Sequence, residues 1–90
     1  MAMGFNTDIK HNEAVYHVQT EPRKEAEIET TVYYRGAVIY KLKSSYRDLL
    51  DAHDFSDLKL QRRLEEQHRI AIGRIRAGKI TPASQPVGPS

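Results

Sequence analysis

The sequence predicts an α+β fold in which a four-stranded antiparallel β-meander is packed by a long C-terminal α-helix, with a short helix before it. Two observations carry this prediction. The first half alternates apolar and polar residues between short turns, and residues 56–77 repeat apolar residues with the period of a helix. Because the sheet has one face to bury and the helix one stripe, we expect the two to dock as two layers.

The first half of the chain is predicted to form two β-hairpins. The first turns at Asn12, which tolerates a left-handed backbone, and the second turns at Gly36. Residues 14–20 carry apolar side chains on both sides, so the pattern leaves their buried face open. The connection between the hairpins, residues 21–27 (EPRKEAE), is polar and contains Pro22, which predicts a flexible, solvated loop. The predicted strands span residues 5–10, 14–20, 28–34 and 38–43.

The long helix has clear signals at both ends. Ser56 is a favourable N-cap, and Gly78 is a natural stop. A short helix precedes it, capped by Ser44 or Ser45 and running through Tyr46, Leu49 and Leu50. The stripe extends so far along the helix that pairing with a second copy is a competing way to cover it. The stripe comprises Leu60, Leu64, His68, Ala71 and Ile75, widened by Leu58 and Ile72.

The chain has 90 residues, which is enough for one domain with a modest core. We expect a flexible N-terminus at residues 1–4, a single α+β domain at 5–78, and a disordered tail at 79–90 that holds three of the four prolines. The absence of cysteine excludes disulfides and thiol chemistry, and no apolar run approaches the length of a membrane span. These features predict a soluble cytoplasmic protein.

The formal net charge of +2 is too small to demand a polyanionic partner, but the charges are unevenly distributed. Residues 1–31 contain six acidic and three basic residues, whereas residues 59–90 contain seven basic residues and only Glu65 and Glu66. The molecule is therefore predicted to be a dipole whose positive end is the long helix. The spacing of Glu65 to Arg69 and of Arg62 to Glu66 also predicts local ion pairs along that helix.

Catalysis and metal binding find little support in the residues. Asp8, His17 and Glu21 lie near predicted strand ends and include an acid with a histidine, but no nucleophile motif or glycine-rich phosphate loop accompanies them. His11 and His17, with Asp8 or Glu13, do not match the ligand spacing of a structural zinc site. We therefore predict no enzyme activity, no cofactor and no metal.

Binding to another protein is the class of function that the residues favour. One candidate interface is the sheet, where Asn6, Asp8, His17, Gln19 and Thr31 can face a partner. The second is the polar side of the long helix, since arginine often anchors interfaces. The alternative is single-stranded nucleic-acid binding by the basic helix, with Tyr33, Tyr34 and Tyr40 stacking on bases. For both the protein and the nucleic-acid interpretation, the candidate residues on the helix are Arg62, Arg63, Arg69 and Arg74.

Four segments carry a family resemblance: GFNTDIKH (residues 4–11), YHVQTE (16–21), IETTVYYRGAVIYKLKSSY (28–46) and EEQHRIAIGRIRAG (65–78). On these the chain resembles a family of small bacterial proteins, and it is similar to the RomX-like adaptors of the bacterial motility-polarity module. The resemblance implies that Asn6, Asp8, His17, Gln19 and Glu21 are neighbours on paired strands. It also implies a small Ras-like GTPase and a response regulator as partners, with promotion of the GTP-loaded state. EPRKEAE departs from the acidic connection usual in the family, which contains glycine or asparagine.

Overall fold

The structure, a computed structural model, describes residues 3–84 and has the predicted α+β fold. Four antiparallel strands form one sheet in the order β1-β2-β3-β4. A short helix and a long helix follow, and the long helix packs on one face of the sheet. The elements are β1 (Phe5–His11), β2 (Ala14–Arg23), β3 (Glu27–Tyr34), β4 (Ala37–Ser45), α1 (Arg47–Asp51) and α2 (Asp57–Arg76).

Two-residue turns close both predicted hairpins. Asn12 and Glu13 have φ of 48° and 66°, and Arg35 and Gly36 have φ of 52° and 80°. Two successive left-handed residues match the right-handed twist of the strands, which is why such turns are common in hairpins. The predicted turn positions are confirmed, although Glu13 and Arg35 adopt a backbone that non-glycine residues rarely accept.

The connection between the hairpins is much shorter than predicted. β2 continues through Arg23 and β3 begins at Glu27, so that only a three-residue 3₁₀ turn, Lys24–Ala26, remains. Pro22 pairs with Ile28 at a point where β2 has passed the first residue of β1, and a strand with a locally open edge tolerates proline. The prediction of a flexible loop over residues 21–27 is therefore wrong, because polar composition alone does not prevent strand pairing.

The helix buries its stripe against the sheet face that carries Tyr16, Val18 and Val32. Leu64 and Ile75 are fully buried within one chain, so the stripe does not need a second helix to cover it. The buried face of β2 is therefore the one that carries Tyr16 and Val18, which the apolar pattern had left open. Leu58, which the sequence placed on the stripe, is 57% exposed, and the stripe instead includes the buried Gln67.

Both ends of α2 follow the predicted signals. The Ser56 hydroxyl accepts a hydrogen bond from the Lys59 amide at 3.3 Å. Gly78, with φ of 74°, ends the helix in a Schellman motif, in which the Lys79 amide bonds to the Arg74 carbonyl. This motif directs Ile80 into the core, where it is 1% exposed.

The domain is slightly longer at both ends than the predicted residues 5–78. Ile80 belongs to the core, although the sequence assigned it to a disordered tail. Met3 exchanges two backbone hydrogen bonds with the Gln61 amide group, at 2.9 and 3.0 Å. A Cβ added at Gly4 would lie 2.5 Å from the Thr20 carbonyl oxygen, so that position needs glycine. The predicted tail from residue 85 onward, and residues 1–2 of the predicted flexible N-terminus, lie outside the described residues.

Candidate protein-interaction surface

The sheet face opposite α2, which we call the outer face, gathers the candidate protein-binding residues that the sequence placed in the first half of the chain. Strand register puts Asn6 opposite Gln19 and Asp8 opposite His17, on the first two strands. Gln19 in turn lies opposite Thr31, and Glu21 lies opposite Glu29. The predicted neighbourhood is thus present in the structure. α2 packs against β1, β2 and β3 from the opposite side of the sheet.

An ordered acid and histidine pair lies on the outer face, across the first two strands. His17 Nδ1 lies 2.8 Å from a carboxylate oxygen of Asp8, and the two side chains are 42% and 72% exposed. The His17 ring also contacts the Tyr33 ring, with centroids 6.1 Å apart. The pair is open to water, so the arrangement presents hydrogen-bonding groups at the surface of the sheet.

Further along the outer face, Glu29 is held among three cations. Its carboxylate lies 3.0 Å from Arg23 and 3.7 Å from both Lys41 and Lys43, and its side chain is only 10% exposed. Burial alone would raise the pKa of Glu29, but Lys41, Arg23 and Lys43 outweigh it and hold that pKa below its usual value. Arg23 also bonds Glu21 at 3.5 Å, which explains how two carboxylates stand opposite each other. Nothing in the sequence indicated this role for Glu29, because its three partners converge only when the strands pair.

Most of the predicted helix arginines are engaged within the chain. Arg63 makes two hydrogen bonds to Asp48, at 3.0 and 3.4 Å, and these lower the pKa of that carboxyl. Arg74 donates to the Tyr40 hydroxyl and lies over its ring. Arg69 approaches Glu65 at 3.7 Å, the ion pair that the spacing predicts. Within residues 3–84 Arg62 has no ion-pair partner, and its predicted pairing with Glu66 does not form.

The histidines considered for a metal site lie apart. His17 is on the outer face, whereas His11 lies opposite Ala14 on the face that packs against α2. Strand alternation separates them, because an odd residue of β1 and an odd residue of β2 point to opposite faces here. In the part of the chain that the structure describes, no group of three or more metal-binding side chains converges.

A second group of polar side chains is buried between the sheet and the helix, and no pattern in the sequence indicated it. We call it the buried network; it joins hydroxyls from all four strands to Gln67 and His68 of α2. His68 lies 2.8 Å from both Thr7 and Thr20. The Gln67 amide nitrogen donates to Thr30 at 3.1 Å and to the Leu42 carbonyl at 3.1 Å. Its members are Thr7, Thr20, Thr30, Ser44, Gln67 and His68.

One direction of hydrogen bonding satisfies the buried network when His68 is neutral. Gln67 donates to the Thr30 hydroxyl, which donates to Thr20, whose hydroxyl donates to His68 Nδ1. The other ring nitrogen, Nε2, then carries the proton and donates to Thr7. Throughout residues 3–84, every buried side-chain nitrogen and oxygen has a hydrogen-bond partner. The network therefore links α2 by hydrogen bonds to all four strands of the sheet.

Burial lowers the pKa of His68, which is 4% exposed, and this predicts a pH-dependent stability. Below the unfolded pKa of about 6.5 the unfolded chain takes up a proton that the folded chain resists, so stability falls as the pH falls. We expect the free energy of unfolding to decrease by up to about 1.4 kcal/mol for each pH unit between that value and the lower folded pKa.

Urea unfolding at about pH 7.5 and about pH 5.5 measures this effect, since the two values bracket the unfolded histidine pKa. The His68→Gln variant, which removes the titrating ring, is the matched control and should lose less stability over the same interval. Equal losses in the two proteins, or an NMR titration that places the folded His68 pKa at or above 6.5, would contradict the prediction.

Comparison with protein-family models, with curated proteins and with solved structures gave no match to this chain. Among residues 3–84, no helix is both long and apolar enough to cross a membrane.

Proposed function

We propose that this chain is a non-enzymatic cytoplasmic adaptor that binds another protein through the outer face. The observation that carries the proposal is the convergence of Asn6, Asp8, His17, Gln19 and Glu21 on one uncovered face of a rigid sheet. Strand pairing fixes the backbone beneath these side chains, and a hydrogen bond joins Asp8 to His17, so less conformational entropy is lost when a partner binds them than on a flexible segment. A flat face with hydrogen-bonding groups and an aromatic ring is typical of a protein contact.

The similarity to RomX-like adaptors supplies the partner class, a small Ras-like GTPase acting together with a response regulator. An adaptor of this kind needs no catalytic group. By binding the GTP-bound or nucleotide-free conformation better than the GDP-bound one, it shifts the population of the GTPase toward the favoured state. The outer face provides a surface for such differential binding.

The nucleic-acid alternative has less support than the protein partner. It relies on the arginines of α2, and Arg63, Arg69 and Arg74 already contact Asp48, Glu65 and Tyr40 respectively. Phosphate contact would have to compete with these bonds. Of the three candidate stacking tyrosines, only Tyr33 is on the outer face, because Tyr34 and Tyr40 pack against the core on the other side.

A pair of double variants separates the two candidate interfaces. Asp8→Ala with His17→Ala removes the acid and histidine pair from the outer face, and both side chains are exposed enough for the fold to tolerate the change. Arg62→Ala with Arg69→Ala is the matched control on α2. We expect the amount of partner protein that co-purifies with the first variant to be at least about tenfold lower than with the wild type, and the amount with the second variant to be unchanged.

The proposal is wrong if the outer-face variant retains its partner while the α2 variant loses it. Loss of the partner on nuclease treatment would support nucleic-acid binding instead. Where the captured protein is a GTPase, the wild-type chain should accelerate release of its labelled GDP and the outer-face variant should not. If neither protein changes the rate of GDP release, the exchange-factor role is wrong. The proposed contact surface is then the only part of the proposal that is kept.

A further inference from the structure

The free edge of β1 carries an acidic and a basic residue in an order that suits pairing with a second copy of the same strand. β1 and β4 are the two edge strands of the sheet, and Asp8 and Lys10 are successive outward residues of β1. We infer that β1 pairs antiparallel with β1 of a second copy, centred on Ile9. In that register Asp8 of each copy lies opposite Lys10 of the other. Two opposite-charge pairs therefore form across the edge, and such cross-strand pairs stabilise a sheet.

The backbone of β1 is arranged to accept this partner. The two-residue turn makes His11 and Ala14 the closing pair, which exchanges both of its backbone hydrogen bonds. The odd residues of β1 therefore direct their N–H and C=O groups toward β2, and the even residues direct theirs to the open edge. Asp8 and Lys10 are both even, so the pairing that matches their charges also forms backbone hydrogen bonds.

Neighbouring registers lack this match. Centring the strands on Asp8 would oppose the two aspartates, and centring them on Thr7 would place Asp8 against Asn6 and Lys10 against Gly4. The other edge repels a copy of itself, because a β4 pair centred on Leu42 sets Lys41 against Lys43. A bulge between Val32 and Tyr33 also disturbs the pairing of β4. Charge and backbone geometry together select β1.

The helices leave room for this dimer. α2 packs over β1, β2 and β3 and so centres on β2, which places the two helices three strand spacings apart. That separation is about 14 Å, more than the 8–10 Å of helices in contact. Because opposed residues point to the same side, the two outer faces join into one surface on a continuous eight-stranded sheet, four strands from each copy.

Sedimentation equilibrium of the isolated chain tests the dimer without any partner. Lys10→Asp should raise the dimer dissociation constant by at least about tenfold, because two attractive pairs become repulsive. The double variant Asp8→Lys with Lys10→Asp restores opposite charges and should dimerise to within about threefold of the wild type. Added salt should weaken the wild-type dimer and strengthen the Lys10→Asp dimer.

A wild-type chain that stays monomeric up to its solubility limit overturns the inference. So does a Lys10→Asp variant that dimerises like the wild type, or association that continues beyond the dimer, which would indicate β1 pairing with β4. The sedimentation result does not depend on the proposed function, because the isolated chain is measured without a partner. The chain can dimerise without capturing a partner protein, and it can capture one without dimerising.

Discussion

Replacing Leu64 by alanine is expected to lower the free energy of unfolding by about 3–5 kcal/mol, which is a large share of the stability of a domain this small. Leu64 is fully buried and packs with Ile28 and Leu60 where α2 meets the sheet. Truncation to alanine loses the free energy gained by transferring the leucine side chain from water into the core. It also leaves a cavity between two rigid layers. Thermal unfolding should show a melting temperature lower by at least about 10 °C.

Leu58 provides the control for this prediction on the same helix. The sequence placed both leucines on the apolar stripe, but Leu58 is 57% exposed in the structure. Leu58→Ala should therefore change the free energy of unfolding by less than about 0.5 kcal/mol, since alanine also favours the helix. Equal losses for the two variants would mean that α2 is rotated or displaced from the position described above.

The contrast between these two leucines shows what a periodic pattern can predict. Spacing identifies the helix and the direction of its stripe, because residues three or four apart must share a face. It cannot give the width of the buried stripe, which depends on how far the sheet extends beneath the helix. Gln67 was missed for the same reason. A polar residue beside the stripe is buried only if the sheet supplies hydrogen-bond partners, and those come from distant strands.

Candidate residues on strands were placed more accurately than those on the helix. Alternation and turn length fix which strand residues share a face, so the grouping of Asn6, Asp8, His17 and Gln19 could be predicted from the sequence. Glu21 was instead expected in the loop after β2, and only the family resemblance placed it with them. The ionic partners of Arg63 and Arg74 could not be predicted, because Asp48 and Tyr40 approach them only through tertiary packing. For the same reason no local pattern indicated the cations around Glu29.

Replacing Thr20 by valine is expected to destabilise the fold by about 2–3 kcal/mol without creating a cavity. The Thr20 hydroxyl is fully buried, 2.7 Å from the Thr30 hydroxyl and 2.8 Å from His68 Nδ1. Valine has nearly the same shape, so packing is kept while the ring nitrogen of His68 loses its partner in a place that water does not reach. Urea unfolding of the variant and the wild type measures the difference.

Thr20→Ser separates the hydrogen bond from the volume of the side chain. Serine keeps the hydroxyl but lacks the methyl group, so a loss of only about 1 kcal/mol is expected from the missing contacts. If the buried network fixes α2 on the sheet, valine must therefore cost more than serine, even though valine fills the site better. The reverse order would show that packing alone holds the helix in place and that the hydroxyls merely satisfy one another.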